Sequence, residues 1–259
     1  DHAVCAVKKD QGWQIIDLTE KYGNIEFPGR AIQNRHVYIT GKEKGIIWKV
    51  EPVEAEANQI NWNLDLVQIK DRLKGSFHVK VNGMAMNQIR EILAASPTGS
   101  SAGLEEYLQS FSEKLEFDSI QSQDFYTYLV ISGKAKTIVN PITETQDLCY
   151  VWKNFIPYPH PFSKKVMESV QINDHTLYQT VKLSLDLDRS FSLAPEPPYT
   201  SSTSFSDFTS LIAAGNEHAL NFEYTFLMKE IEFRGPGLIE YEHLNNTLNS
   251  YFKNALLLQ

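Results

Sequence analysis

The stretch Leu177-Tyr178-Gln179-Thr180-Val181-Lys182-Leu183-Ser184-Leu185-Asp186-Leu187 decides the fold. Val181, Leu183, Leu185 and Leu187 fall on one side of an extended chain, and Tyr178, Thr180, Lys182, Ser184 and Asp186 on the other. This alternation predicts a strand with one dry and one wet face, as in an antiparallel sheet covered on a single side. Leu220, Phe222, Tyr224, Phe226 and Met228 repeat the pattern, as do Ile60, Trp62, Leu64 and Leu66, and Phe77, Val79 and Val81.

Two of these runs change phase, the first at Leu66–Val67 and the second near Glu230. A slip of one residue turns the apolar set over unless a bulge absorbs it, so a bend in the sheet is expected at each point. Hairpins are predicted over residues 33–52, turning at Gly41 to Gly45, and over residues 125–139, turning at Ser132-Gly133-Lys134.

Helical spacing appears elsewhere. Residues 84–95 are closed by Ser96-Pro97, because the residue before a proline avoids the α region. A second helix follows Ser101 and presents Leu104, Tyr107, Leu108, Phe111 and Leu115. A short helix over residues 207–214 is expected to stop at Gly215. The last helix carries Tyr241, Leu244, Leu248, Tyr251 and Phe252 on one stripe, with Ala255-Leu256-Leu257-Leu258 as its tail. Pro157, Pro159 and Pro161 hold residues 156–162 extended. The sequence therefore predicts an α+β protein: a curved, mainly antiparallel sheet with helices packed on one side and a C-terminal helix. A single domain is expected over residues 1–259, with 156–162 as the place where two lobes would divide.

Composition narrows the function classes. Of 259 residues, 42% are hydrophobic and 22% charged, a balance that excludes a disordered chain. The formal net charge of −8 disfavours nucleic acid and anionic membranes as partners. No apolar run approaches the roughly 18 residues of a membrane span. Two cysteines, Cys5 and Cys149, are too few for a disulfide framework, although one bridge between them is allowed. The first residue, Asp1, fits a secreted or periplasmic protein that has lost an N-terminal segment, and fits a cytoplasmic one equally.

The chain carries no motif for a cofactor: no Walker loop, no Gly-x-Gly-x-x-Gly after a strand, and no nucleophile elbow. No cofactor is expected. Cys149 and His160 are the one Cys and His near each other late in the chain, and a thiolate nucleophile needs an imidazole beside it. The apolar neighbours Leu148, Tyr150, Val151 and Trp152 suit an inert core thiol better. Asp186 and Asp188 project on the same wet face, a pair able to hold a divalent cation but more often a solvated strand end.

Aromatic crowding stands out, with 14 Phe, 12 Tyr and 4 Trp. Trp48, Trp62, Tyr126, Tyr128, Trp152, Phe222 and Tyr224 all fall on strands or beside them. On a curved sheet these rings would line an apolar pocket; on a flat one they would fill the core. The leading expectation is a non-catalytic binding protein that holds a small apolar ligand or docks a protein partner through this sheet. The alternatives are a hydrolase with a scattered site of His and Cys or carboxylate groups, and a subunit of a larger assembly.

Overall fold

The computed structural model describes residues 3–23, 25–41, 44–97, 101–112, 114–138, 148–151, 155–159, 170–172, 176–188, 190–193, 197–253 and 255–258. Near the N-terminus, β1 (Cys5–Lys9) and β2 (Gly12–Ile16) form one hairpin, and β3 (His36–Ile39) and β4 (Ile46–Lys49) another. Ile15, Ile32, Ile39 and Val50 make a small core between them, flanked by Trp13, Val37 and Trp48.

The rest of the chain is built around β5 (Gln59–Ile69), β6 (Arg72–Asn82), α1 (Met84–Ala95), α2 (Ala102–Gln109), β7 (Glu116–Asp124) and β8 (Tyr128–Ile138). After β9 (Leu148–Val151) and β10 (Val170–Ile172) come β11 (Leu177–Asp186), β12 (Tyr199–Ser202), β13 (Ser206–Ala214), β14 (Ala219–Met228), β15 (Glu232–Arg234), α3 (Pro236–Lys253) and β16 (Ala255–Leu258). Eight strands join in the order β12-β13-β14-β11-β5-β6-β8-β7. Only β5 and β11 run parallel within this sheet. The α+β architecture and the C-terminal helix read from the sequence are present.

The inward rows of β5, β6, β8, β11, β13 and β14 share one core with Met86 and Ile89 of α1, Leu104 and Leu108 of α2, and Tyr241, Leu244, Leu248 and Phe252 of α3. The helices thus lie on one side of the sheet, and every second residue from Leu177 to Leu185 is buried while those between are half-buried or exposed. Phe155 to Pro159 lies against the same core, with Tyr158 N donating to Phe111 O at 2.8 Å.

Helix α1 starts where a buried clamp holds it. Asn58 Oδ1 accepts the Met84 N–H at 2.8 Å, and Asn58 Nδ2 donates to Thr176 Oγ1 at 2.8 Å. The Thr176 hydroxyl donates in turn to Val53 O at 2.5 Å. Gly83, at φ +67, passes so close to Ala57 O and Asn58 Oδ1 that a Cβ would collide with both.

Several expectations are corrected. Strand β5 has no bulge at Leu66–Val67: its pairing with β6 runs unbroken from Ile60 opposite Val81 to Ile69 opposite Arg72. Val67 and Ile69 simply face solvent, while Gln68 turns inward and bonds the Lys70 carbonyl at 2.9 Å. Near Glu230 the chain leaves the large sheet, and Glu232–Arg234 pairs with β10 instead. Neither phase change is a bulge in the large sheet, and the curvature inferred from them loses its ground.

The β7–β8 hairpin turns at residues 125–127, and Ser132-Gly133-Lys134 lies inside β8. Gly133 is there for proximity: a Cβ would sit 2.7 Å from Asp118 O and 2.8 Å from Phe77 Cε1. Residues 207–214 belong to strand β13, because pairing along the whole of β14 outweighs local helix preference. Ala255–Leu258 is likewise not a helix tail; it pairs with β9. A register shift does occur between Asp118 and Gln121 of edge strand β7, where Ser119 adopts φ +52. It disrupts one edge of the sheet, and the opposite edge strand, β12, has only four residues; both features blunt edge-to-edge association.

Candidate functional site

The aromatic residues expected to bind a ligand are dispersed. Trp62 is buried among Phe77, Phe111 and Phe117, with ring centroids 5.5–6.5 Å apart. Phe222 and Tyr224 are buried, Tyr224 against Phe208 and against Phe252 of α3. Trp48 is half-buried on the small N-terminal core. Tyr126 stands 69% exposed at the tip of the β7–β8 hairpin at φ +72, and Tyr128 stacks on Phe125 at 4.7 Å. Trp152 lies outside the described residues. The described rings do not converge on one pocket; Trp62, Phe222 and Tyr224 fill the core.

Tyr224 closes a buried polar network. Gln179 Nε2 donates to its phenol at 2.6 Å, and the phenol donates to Pro157 O at 2.5 Å. Burial pushes the phenol well above the usual tyrosine range, and the bond from Gln179 only partly opposes it. A folded-state pKa raised above the unfolded value stabilises the fold fully below about pH 10, and that contribution fades as pH climbs past it, by about 1.4 kcal/mol per unit. Urea midpoints measured from pH 8 upward are therefore expected to fall more steeply above about pH 10 in the wild type than in Tyr224→Phe. Equal slopes would show that this phenol does not titrate with unfolding.

Of the expected nucleophile pair, Cys149 lies on β9 and His160 falls outside the described residues. Cys5 is a free, exposed thiol. Asp186 ends β11 and Asp188 follows it, both exposed. Among the described residues no three His, Cys, Asp or Glu side chains gather as a metal site would require. No described helix is long and apolar enough to cross a membrane.

A different feature, which reading along single strands misses, lies on the open face of the large sheet. Outward residues of neighbouring strands stand in cross-strand rows. Ala213, Asn221, Ser184 and Asp65 form one row, and Leu211, Glu223, Lys182 and Asn63 the next. The first row is mostly of short side chains, and the taller second row rises beside it. Together they line a depression of about 250 Å³. Lys182 and Glu223 pair across its wall at 3.2 Å. The lining offers two carboxylates, an ammonium, two amides and a hydroxyl beside the apolar Leu211, and it contains neither Cys nor His. Such a set can recognise hydrogen-bonding and charged groups.

Leu211 in this lining is 44% exposed, and farther along the open face stand Val67 at 45%, Ile69 at 53% and Ile138 at 56%. No signal within any one strand marks the depression, because its residues come from four different strands. The chain matches no family model, no curated protein and no solved structure.

Proposed function

We propose that this chain is a non-catalytic binding module that docks a protein partner on the open face of its eight-stranded sheet. The observation that supports this reading is the combination on that face of a polar depression with exposed Leu211, Val67, Ile69 and Ile138. A depression of about 250 Å³ is smaller than a drug-sized ligand needs, and suits the side chains of a protein surface. Three of the rings that would have enclosed an apolar small molecule, Trp62, Phe222 and Tyr224, are occupied in the core. A mixed surface of apolar anchors within a polar surround is the usual composition of a non-obligate interface.

The test is site-specific photocrosslinking in the native host. A photoreactive residue at Leu211 is expected to capture a defined protein, and Ser184→Arg, which fills the depression from an outward position, is expected to abolish the capture. The same probe at Ile239, 70% exposed on α3, is the control. No adduct at Leu211, or equal adducts at both positions, would overturn the proposal.

A further inference from the structure

The open face is not electrically uniform. Its outward positions on β6 are Arg72, Lys74, Ser76, His78 and Lys80, and those on β8 are Tyr128, Val130, Ser132, Lys134, Lys136 and Ile138. Lys74 stands directly opposite Lys136, and Lys134 opposite Ser76. Like charges facing each other across a ladder destabilise it. Lys136 is offset by Glu116 and Asp118 of β7, at 3.4 and 3.9 Å. Arg72, Lys74 and Lys134 have no carboxylate within ion-pair reach among the described residues; Asp118 is opposite Lys134 in register, but its carboxylate pairs with Lys136. A protein of net charge −8 thus gathers unneutralised cations on two adjacent strands.

The ends of this ladder are apolar. At one end, Val67, Ile69 and Ile138 are exposed beside Arg72 and Lys74. At the other, Lys80 lies 4.4 Å from the centre of the Tyr128 ring, which stacks on Phe125. The hairpin tip there is fixed by Arg90, which bonds both Asp124 oxygens at 2.7 and 2.8 Å and Tyr126 O at 2.8 Å.

We infer that the outward ladder of β6 and β8, from Lys80 to Arg72, binds an extended acidic segment of the protein partner. The inference rests on the docking function proposed above. Residues on one face of a strand repeat every ~6.8 Å, and carboxylates at alternate positions of an extended peptide repeat at the same interval. Apolar residues at the end of that segment, on the same face as its carboxylates, suit Val67, Ile69 and Ile138. A polyphosphate fits less well: it has no apolar group to set against the exposed Val67, Ile69 and Ile138.

The experiment titrates the intact chain, at low ionic strength, with a labelled decapeptide of alternating Glu and Val, an oligothymidylate of equal charge, and phosphatidylserine vesicles. Saturable peptide binding is expected, about tenfold weaker in Lys74→Glu/Lys134→Glu, with the oligonucleotide and vesicles binding more weakly than the peptide. Both lysines are exposed, and an unchanged urea midpoint will show that the variant is folded. Absence of peptide binding, binding indifferent to the two substitutions, or tighter binding of the oligonucleotide or the vesicles would overturn the inference. If the peptide fails while Leu211 still captures its protein, the acidic-segment inference falls and the docking function stands. If the peptide binds and Leu211 captures nothing, the docking site proposed around the depression falls.

Discussion

Replacing Asn58 by leucine is expected to destabilise the fold by about 3 kcal/mol, seen as a lower urea midpoint at an unchanged slope. Asn58 is fully buried, and its amide serves two elements at once. Its Oδ1 caps the first N–H of α1, and its Nδ2 holds the Thr176 hydroxyl that bonds Val53 O. Leucine has about the right volume, so the loss is electrostatic: the Met84 N–H is left dry and unpaired, at roughly 1–3 kcal/mol, and the donor to Thr176 disappears. Thr176→Val alone is expected to cost about 2 kcal/mol. The double variant is expected to cost less than the sum, because partners removed together leave fewer orphaned groups. Strict additivity would mean that the two side chains do not act as one clamp.

Trp62→Ala is expected to cost about 4 kcal/mol, among the largest effects of a single truncation in this chain. The indole sits 1% exposed in a nest of three phenylalanine rings that joins the sheet to the end of α2. Its removal leaves a cavity that rigid strands on both sides cannot collapse to fill. Trp62→Phe is expected to cost about 1 kcal/mol, since the indole N–H has no acceptor among the described residues and only volume is lost. Tryptophan emission should report the same burial: Trp62→Phe is expected to remove a blue component inaccessible to iodide. A loss below about 1 kcal/mol for Trp62→Ala would instead place the ring at a surface where a ligand could reach it.

The fold was legible wherever local chemistry and tertiary demand agree. Gly83 and the Ser96-Pro97 pair bracket α1 at the residues expected, since both boundaries rest on backbone sterics. The alternation of β11 and β14 was equally plain. Elsewhere a side chain broke the code. Gln68 reads as solvent-facing, yet it turns inward and bonds the Lys70 carbonyl, leaving Val67 and Ile69 outside. Gly133 reads as a turn, yet it makes room for the Phe77 ring. The depression on the open face was invisible for a deeper reason. Asp65, Ser184, Ala213 and Asn221 are unremarkable each in its own strand, and only the register of four strands sets them side by side. The basic ladder of β6 and β8 was hidden by the overall acidity, since net charge says nothing about which faces the cations share.

The parallel pairing of β5 with β11 has a kinetic consequence. All other neighbours in the large sheet belong to two blocks that are each antiparallel and contiguous in sequence: β5 to β8, and β11 to β14. Within each block, strands meet through closures shorter than the one that joins the blocks, and so at a smaller cost in entropy. Joining the blocks requires Gln59 to find Tyr178 and Asn61 to find Thr180, across a closure that spans nearly half the chain. Contacts of such long range form slowly, because chain entropy is surrendered before the contacts return it. The two blocks are thus natural folding units, and the joint between them is the late, rate-limiting zip. Until it closes, β5 and β11 each present an unpaired edge, so the interval before closure is when the chain is most open to mispairing with its own copies.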